Sequence, residues 1–405
     1  MITQPPLPVN DLDFRQDGLY TPTLTGRRTM NLLCVIDNLG TGGAQRQILN
    51  LAIGLHRRGH EVSLYCYTPG ALLAHYPEKE GLRVRVELKR SRFSLDVVGN
   101  LRNHIDRGRY DAVVSFLNTP NFYNVLASRR SKTRPAVLVS ERFCDVPGEP
   151  SRLELAVRQV YRWSDMIVVN SHHQRENFLR KYPWMAGRLR TIYNGYDLEE
   201  FRPRPLEPGP GELRILAVAS VSRYKNGLCL VRALDVLKRD HGLRPRVSWV
   251  GQRMRTGDRG VYLQEMEGLI ESAGLSGQWD WLDQRTDVAD LLARHDVLVH
   301  PSYGEGLPNV VCEAMACGRP VILSNVLDHP RLIADGVSGF LFDARDPRDL
   351  ARRIRDFQAL PPSERQRLGM NGRDFAEKNL TLERYIGEYE GLLAGLIERR
   401  AARSH

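Results

Sequence analysis

The chain has 405 residues, more than one ordinary domain and enough for two or three of about 100–200 residues each. Its 42% apolar and 26% charged residues exclude a disordered, collagen-like or mucin-like protein, and no apolar run approaches the roughly 18 residues of a membrane span. The net charge of +10 is uneven: residues 1–200 hold 28 Lys and Arg against 20 Asp and Glu, the remainder 30 against 28, so an anionic partner (nucleic acid, phosphorylated substrate or acidic membrane) is expected on the first half.

Residues 1–29 read as a polar extension without the apolar stretch of a secretory signal, which with sparse, unpaired cysteines points to the cytoplasm. Asn31–Asp37 then reads as a buried strand. Gly43–Arg58 follows as a helix with an apolar stripe at Ile48, Leu51, Ala52 and Leu55. Glu61–Tyr67, Asp111–Phe116, Ala136–Ser140, Met166–Asn170 and Leu189–Tyr193 read as further strands, with helical patterns between them. Residues 202–212, with four prolines between Arg202 and Gly211, have the composition of a linker. The alternation restarts with strands at Arg214–Ala219, Arg246–Val250, Trp279–Leu282, Val297–His300, Pro320–Leu323 and Phe340–Phe342. Helices are expected at Gly227–Arg239, Leu263–Ala273, Val288–Arg294 and Asn309–Ala316. Two longer ones, Pro362–Lys378 and Leu382–Arg400, close the chain. Strands alternating with helices predict an α/β protein with two doubly wound parallel sheets, residues 30–201 and 213–380, which would bind ligands at the carboxyl ends of their strands. The helix in 381–405 is expected to pack back on the first domain.

Three motifs sit at such strand ends. Asp37–Gln45 (DNLGTGGAQ) puts Gly42 and Gly43 at a helix start, where free N–H groups suit an anion; a plain strand-to-helix turn has the same appearance. It is neither a Walker loop nor a dinucleotide fingerprint, because Gln45 stands where the third glycine would be. Val221–Gly227 (VSRYKNG) places Arg223 and Lys225 together, suited to a diphosphate or simply two solvated charges. His300–Ile322 carries Glu305 in a glycine-flanked loop and Glu313 eight residues later. Pro308 suits the first helical turn and Asn309 shares a face with Glu313. That spacing suits an extended polar ligand, and equally an acid at a helix start plus a solvated one.

The last segment resembles the E-x7-E signature of family 4 glycosyltransferases, retaining enzymes of the GT-B fold. Gly40–Gly43, Asn194–Phe201 (NGYDLEEF), VSRYKNG and Trp281–Val299 are similar to other parts of that family in the same order, and the resemblance covers residues 30–400. It implies two facing Rossmann-like domains with a cleft between them, an N-terminal acceptor side and a C-terminal nucleotide-sugar side. It implies that Arg223 and Lys225 neutralise the diphosphate and that Glu313 takes the ribose hydroxyls. Glu305, with Gly306, Leu307, Pro308 and Asn309, would hold the transferred sugar, Gly42 and Gly43 would close over the donor, and Leu282 would lie near the base. Catalysis would rest on Glu305, Arg223 and Lys225, with no metal and no cofactor beyond the nucleotide-diphosphate sugar.

Two departures stand out. Leu307, Pro308 and Asn309 replace the commoner Phe-Gly-Leu. The stretch Ser115–Tyr123 lacks the histidine many members have, leaving Asn118, Asn121, Glu141 and Arg142 as acceptor-side candidates or, for the last two, a structural ion pair. The expected reaction is transfer of a hexose or N-acetylhexosamine to a glycan or lipid-linked saccharide. A peripheral contact with an acidic membrane would run through Arg83–Arg92, Arg129–Arg134 and Ser151–Trp163, which read equally as a solubilising basic face and an ordinary core-facing helix. An epimerase or a non-catalytic nucleotide-sugar-binding partner would share the fold. A nicotinamide oxidoreductase lacks its glycine fingerprint here, and no nucleic-acid reading module is present.

Overall fold

The structure is a computed structural model that describes residues 28–403 apart from 41, 71, 72, 74, 92, 93, 143–156 and 206–210. The sequence expectations for residues 1–27, Arg92, residues 151–156 and the middle of the linker lie outside the described residues. The described residues divide into two compact units, one within 28–195 and 382–403, the other within 196–381.

In the first unit the strands are β1 (Asn31–Val35), β2 (Glu61–Cys66), β3 (Arg83–Val86), β4 (Ala112–Phe116), β5 (Ala136–Glu141), β6 (Met166–Val169) and β7 (Leu189–Thr191). They form one parallel sheet in the order β3-β2-β1-β4-β5-β6-β7. The central strands are mostly apolar because helices cover both faces; Ala112–Phe116 and Met166–Val169 are wholly buried. Strand β3 (RVRV) is absent from the sequence expectations. It lies at the sheet edge with its residues mostly exposed, so it carries arginines where a buried strand would be apolar.

The last helix, Leu382–Arg403, belongs to this first unit and puts Tyr385, Ile386, Tyr389, Leu393 and Leu396 into the core shared with β1 and β4. Gly54 admits it: a Cβ there would come within 2.0 Å of Ile386 Cδ1.

In the second unit β8 (Arg214–Val218), β9 (Arg246–Val250), β10 (Trp279–Leu282), β11 (Val297–His300), β12 (Val321–Ser324) and β13 (Phe340–Phe342) form a parallel sheet in the order β10-β9-β8-β11-β12-β13. Residues 196–201 group with this unit, whereas the sequence reading placed them in the first. Arg373 fixes them there by donating to the carbonyls of Phe201 (2.9 Å) and Ala316 (2.6 Å).

In each sheet the strand order reverses beside the first strand of the unit, between β1 and β4 and between β8 and β11. The crevice outside the carboxyl ends of such neighbours is where doubly wound folds bind ligands.

Candidate active site

In the second unit the loops after β8 and β11 meet at the reversal point. The first makes a short 3-10 turn, Arg223–Lys225, ended by Asn226 in the left-handed region (φ 54°), a conformation that asparagine tolerates. The buried Asn226 amide donates to the carbonyls of Pro301 (3.0 Å) and Ala344 (2.9 Å). Tyr303 N–H donates to the Tyr224 carbonyl at 2.8 Å, and Ser302 Oγ to the same oxygen at 3.1 Å. Three of these four bonds fasten the first loop to the second, and the one to Ala344 ties it to the segment after β13.

The fastening brings Lys225 Nζ against Glu305 Oε1. The same carboxylate oxygen takes a hydrogen bond from His300 Nε2 (3.1 Å) and lies 3.2 Å from Ser302 Oγ, whose single proton it shares with the Tyr224 carbonyl. Burial, then Lys225 and His329, push His300 well below the ordinary histidine range, so its ring is neutral; because a carboxylate only accepts, Nε2 carries the proton. His329, whose ring lies 5.7 Å from that of His300, is pushed down to about 4 by burial and donates from Nδ1 to the Ser324 carbonyl at 2.7 Å. Burial pushes the Lys225 ammonium down to about 8, which still leaves it charged at neutral pH.

The loop continues through Gly306, Leu307 and Pro308, all covered, into the helix Asn309–Ala316. Pro308 stands at the cap position just before that helix, one residue earlier than the first-turn place expected for it. Among the described residues no acceptor takes the N–H groups of Gly306 and Leu307. Buried N–H groups are otherwise almost always bonded, so this pair is open to an anionic or hydroxylated ligand. Asn309 Oδ1 accepts from Tyr196 Oη at 2.7 Å. Glu313, one turn into the helix, is only 4% exposed.

Not every expected residue joins this cluster. Arg223 is exposed and turns to Glu265 (3.3 Å), with its guanidinium 5.3 Å from the Tyr262 ring centre. Leu282 ends β10, and its carbonyl accepts from Gly251 N–H at 3.1 Å.

In the first unit the glycine turn follows β1. Gly42 is the residue before the helix Gly43–Arg57, and a Cβ on it would fall 2.1 Å from Gln45 Oε1. That close approach, with Gln45 Nε2 donating to Asp37 Oδ1 at 2.9 Å, is a local reason for glycine there. After β4, Leu117 has φ 77°, a strained value for a branched residue, and its N–H donates to the Ser140 carbonyl at 3.0 Å.

Residues 41–200 match the family described as Glycosyltransferase Family 4, and residues 199–375 match that described as Glycosyl transferases group 1. The chain belongs to the family 4 glycosyltransferases. This glycosyltransferase is 28% identical over 378 residues to the D-inositol 3-phosphate glycosyltransferase of Saccharomonospora viridis, an alignment spanning 83% of this chain and 85% of the relative. It is 30% identical over 240 residues to the protein of that name from Streptomyces coelicolor, spanning 54% of this chain and about half (52%) of the relative. Among solved structures, Anabaena Alr3699/HepE in complex with UDP and glucose superposes with a TM-score of 0.78 at 20% identity, covering 90% of this chain and 100% of the other. Sucrose-phosphate synthase from Thermosynechococcus elongatus gives 0.75 at 20% identity, covering 93% and 100%. Those likenesses show the fold, GT-B with two Rossmann-like units.

The acceptor-side candidates of the glycosyltransferase are mostly interior. Asn121 is fully buried: Oδ1 accepts from Ser115 Oγ (2.8 Å), and Nδ2 donates to the Ser140 carbonyl (3.0 Å) and to Tyr161 Oη (3.1 Å). Glu141 is likewise buried and accepts from Tyr161 Oη and from the Asn118 amide, which lies 2.6 Å from Oε2. Arg142 stacks on Phe116 at 3.8 Å and donates to Asn194 Oδ1 (2.5 Å) and Tyr389 Oη (2.6 Å). It therefore bonds the last helix and the 194 segment rather than pairing with Glu141. Asn118, at a helix start and half-exposed, is the candidate best placed to meet a ligand.

His300, Ser302, Asn226 and His329 have no site role in the sequence reading. The one available signal is position, since His300 and Asn226 directly follow or lie between motif residues at strand ends. Among the described residues no group of three His, Cys, Asp or Glu side chains could hold a metal ion, and no helix is long and apolar enough to cross a membrane.

Proposed function

We propose that this glycosyltransferase moves a hexose or N-acetylhexosamine from a UDP-sugar to a glycan or lipid-linked saccharide, with retention at the anomeric carbon and without a metal ion. The observation that carries the reading is the Lys225–Glu305 pair at the strand-order reversal, beside the two unbonded N–H groups of Gly306 and Leu307. A diphosphate leaving group gains negative charge as the sugar–oxygen bond breaks. A fixed cation and oriented N–H donors stabilise that charge more in the transition state than before it. In this reading Lys225 and the exposed Arg223 side chain take the diphosphate. Glu305, oriented by His300 and Ser302, takes hydroxyls of the transferred sugar, and Glu313 takes the ribose.

UDP is preferred over other nucleotides because Anabaena Alr3699/HepE was solved with UDP and with UDP-glucose. The name of the Saccharomonospora relative favours a second acceptor class, a phosphorylated cyclitol. The basic surplus of the first 200 residues suits either an acceptor at an acidic inner-membrane face or a phosphorylated soluble one.

The test is a panel of nucleotide sugars with and without acceptors, read as release of free nucleotide diphosphate and by NMR of the anomeric proton. UDP released only when acceptor is present, with an axial product from an axial donor, supports the reading. Interconversion of the sugar without UDP release would identify an epimerase, and binding with no turnover a non-catalytic partner.

A further inference from the structure

A cavity of about 900 Å³ lies in the first unit, where β5, β6 and β7 begin. This is the amino-terminal end of the parallel strands, opposite the end that carries the glycine turn after β1. Of its fourteen lining residues eight are Arg or Lys and one, Asp165, is acidic. They come from four separate stretches of chain: the end of the helix Asn118–Arg130 with the turn after it, residues 162–166, residues 187–190, and the end of the last helix.

The carboxyl ends of helices attract cations, and that alone accounts for Arg129, Arg399 and Arg400. It does not account for Lys132, Arg134 and Arg190, which lie outside any helix. The single acid is already committed. Asp165 Oδ2 accepts from Val137 N–H (2.8 Å) and Arg400 Nη1 (2.7 Å), and Oδ1 faces Arg129 Nη2 at 3.4 Å. Arg188 is aimed by two backbone carbonyls, those of Arg162 and Ser164, each at 2.9 Å. No carboxylate among the described residues pairs with Lys132, Arg134 or Arg399, all exposed. So many like charges around one opening repel one another, and an anion between them relieves that cost.

We propose that this cavity is a second binding site of the enzyme, for a ligand carrying a phosphate ester or diphosphate. The chemistry follows from the donors: guanidinium forks bind phosphate oxygens two at a time, and several cations match a multiply charged group better than a single carboxylate. The volume is in the range of small-molecule sites and leaves room for more than one phosphate. A phospholipid headgroup and a soluble phosphorylated metabolite share this chemistry. The inference does not depend on the donor-site reading, since none of its residues belongs to that cluster.

The experiment uses inorganic tripolyphosphate as probe and follows the unfolding temperature at ionic strength matched with chloride. Tripolyphosphate also suits the Lys225 pocket, so the relevant signal is the part of the shift that survives Lys225→Ala. The site predicts a clear rise in that background. It also predicts about a tenfold or greater loss of affinity in Lys132→Glu/Arg134→Glu, and independently in Arg399→Glu, which lies on a different segment. Sedimentation with phosphatidylcholine vesicles, with and without phosphatidylglycerol, separates the two sources. Binding to the acidic vesicles that both variants lose assigns a lipid headgroup, whereas a tripolyphosphate shift without vesicle binding assigns a soluble ligand. A shift unchanged by both variants, or no shift and no vesicle binding, overturns the proposal.

Discussion

Glu305 Oε1 is approached by an ammonium, an imidazole N–H and a hydroxyl, and each of these groups is itself held by the protein. Such a carboxylate would lose little freedom in the sugar-binding role proposed for it. Replacing His300 by Ala is expected to lower kcat by about tenfold or more with a smaller change in KM, while His300→Gln, which keeps an N–H donor, recovers part of the loss. Steady-state kinetics on the two variants separates a positioning role from mere packing, which would not distinguish them.

Lys225 gives a pH prediction with opposite signs for activity and stability. Its folded-state value of about 8 lies below the 10.5 of an unburied lysine. Transfer should fall as pH rises through about 8, because the cation proposed to face the leaving group is lost. Over the same window, from about 8 to 10.5, the unfolded chain binds more protons, so folding stability rises with pH. His329 works at the acid end. Its value of about 4 against 6.5 means that the unfolded chain takes the proton first, so stability is lost as pH falls from 6.5 to 4, by about 3 kcal/mol. Denaturant titrations at several pH values, with His329→Gln for comparison, check the second statement; a curve identical in both proteins would contradict it.

At the level of elements, strands are legible where large apolar residues mark them, at the sheet edge in Trp279–Leu282 as well as inside it, and are missed where such residues are lacking. The second-unit strands Arg246–Val250, Trp279–Leu282 and Val297–His300 have the extents expected from their apolar runs. The edge strand Arg83–Val86 has no such run, and the helix at Gly257–Ser272 starts six residues before its apolar stripe becomes visible at Leu263. The site motifs were legible because strand ends, charges and glycines fall at regular places in a doubly wound fold. Their partners were not: that Asn226 bonds to Pro301 and Ala344, or that Asn121 is filled by Ser115, Ser140 and Tyr161, depends on contacts between distant segments.

Gly251 is a prediction of this kind. It has φ 149°, and a Cβ on it would sit 2.2 Å from the Ala219 carbonyl oxygen, in the loop that leads to Lys225. Gly251→Ala should destabilise the protein by about 2–4 kcal/mol and weaken donor binding, since the backbone of that loop has to move. Chemical denaturation and donor titration on the same variant measure both effects.

For the whole molecule, the first 200 residues carry nearly all the excess positive charge while the cluster around Lys225 and Glu305 lies in the second unit, 196–381. In the proposed function donor chemistry rests on a few buried polar groups, and attraction of anionic ligands on many exposed cations. Raising ionic strength should weaken the second far more than the first, because exposed charges are screened over about 8–10 Å and buried ones much less. The most direct measurement of the central claim is calorimetric titration of UDP into the wild-type protein and into Lys225→Ala. The account predicts a Kd at least about tenfold weaker in the variant, with an unfolding temperature close to the wild type. Equal affinity in the two folded proteins would contradict it.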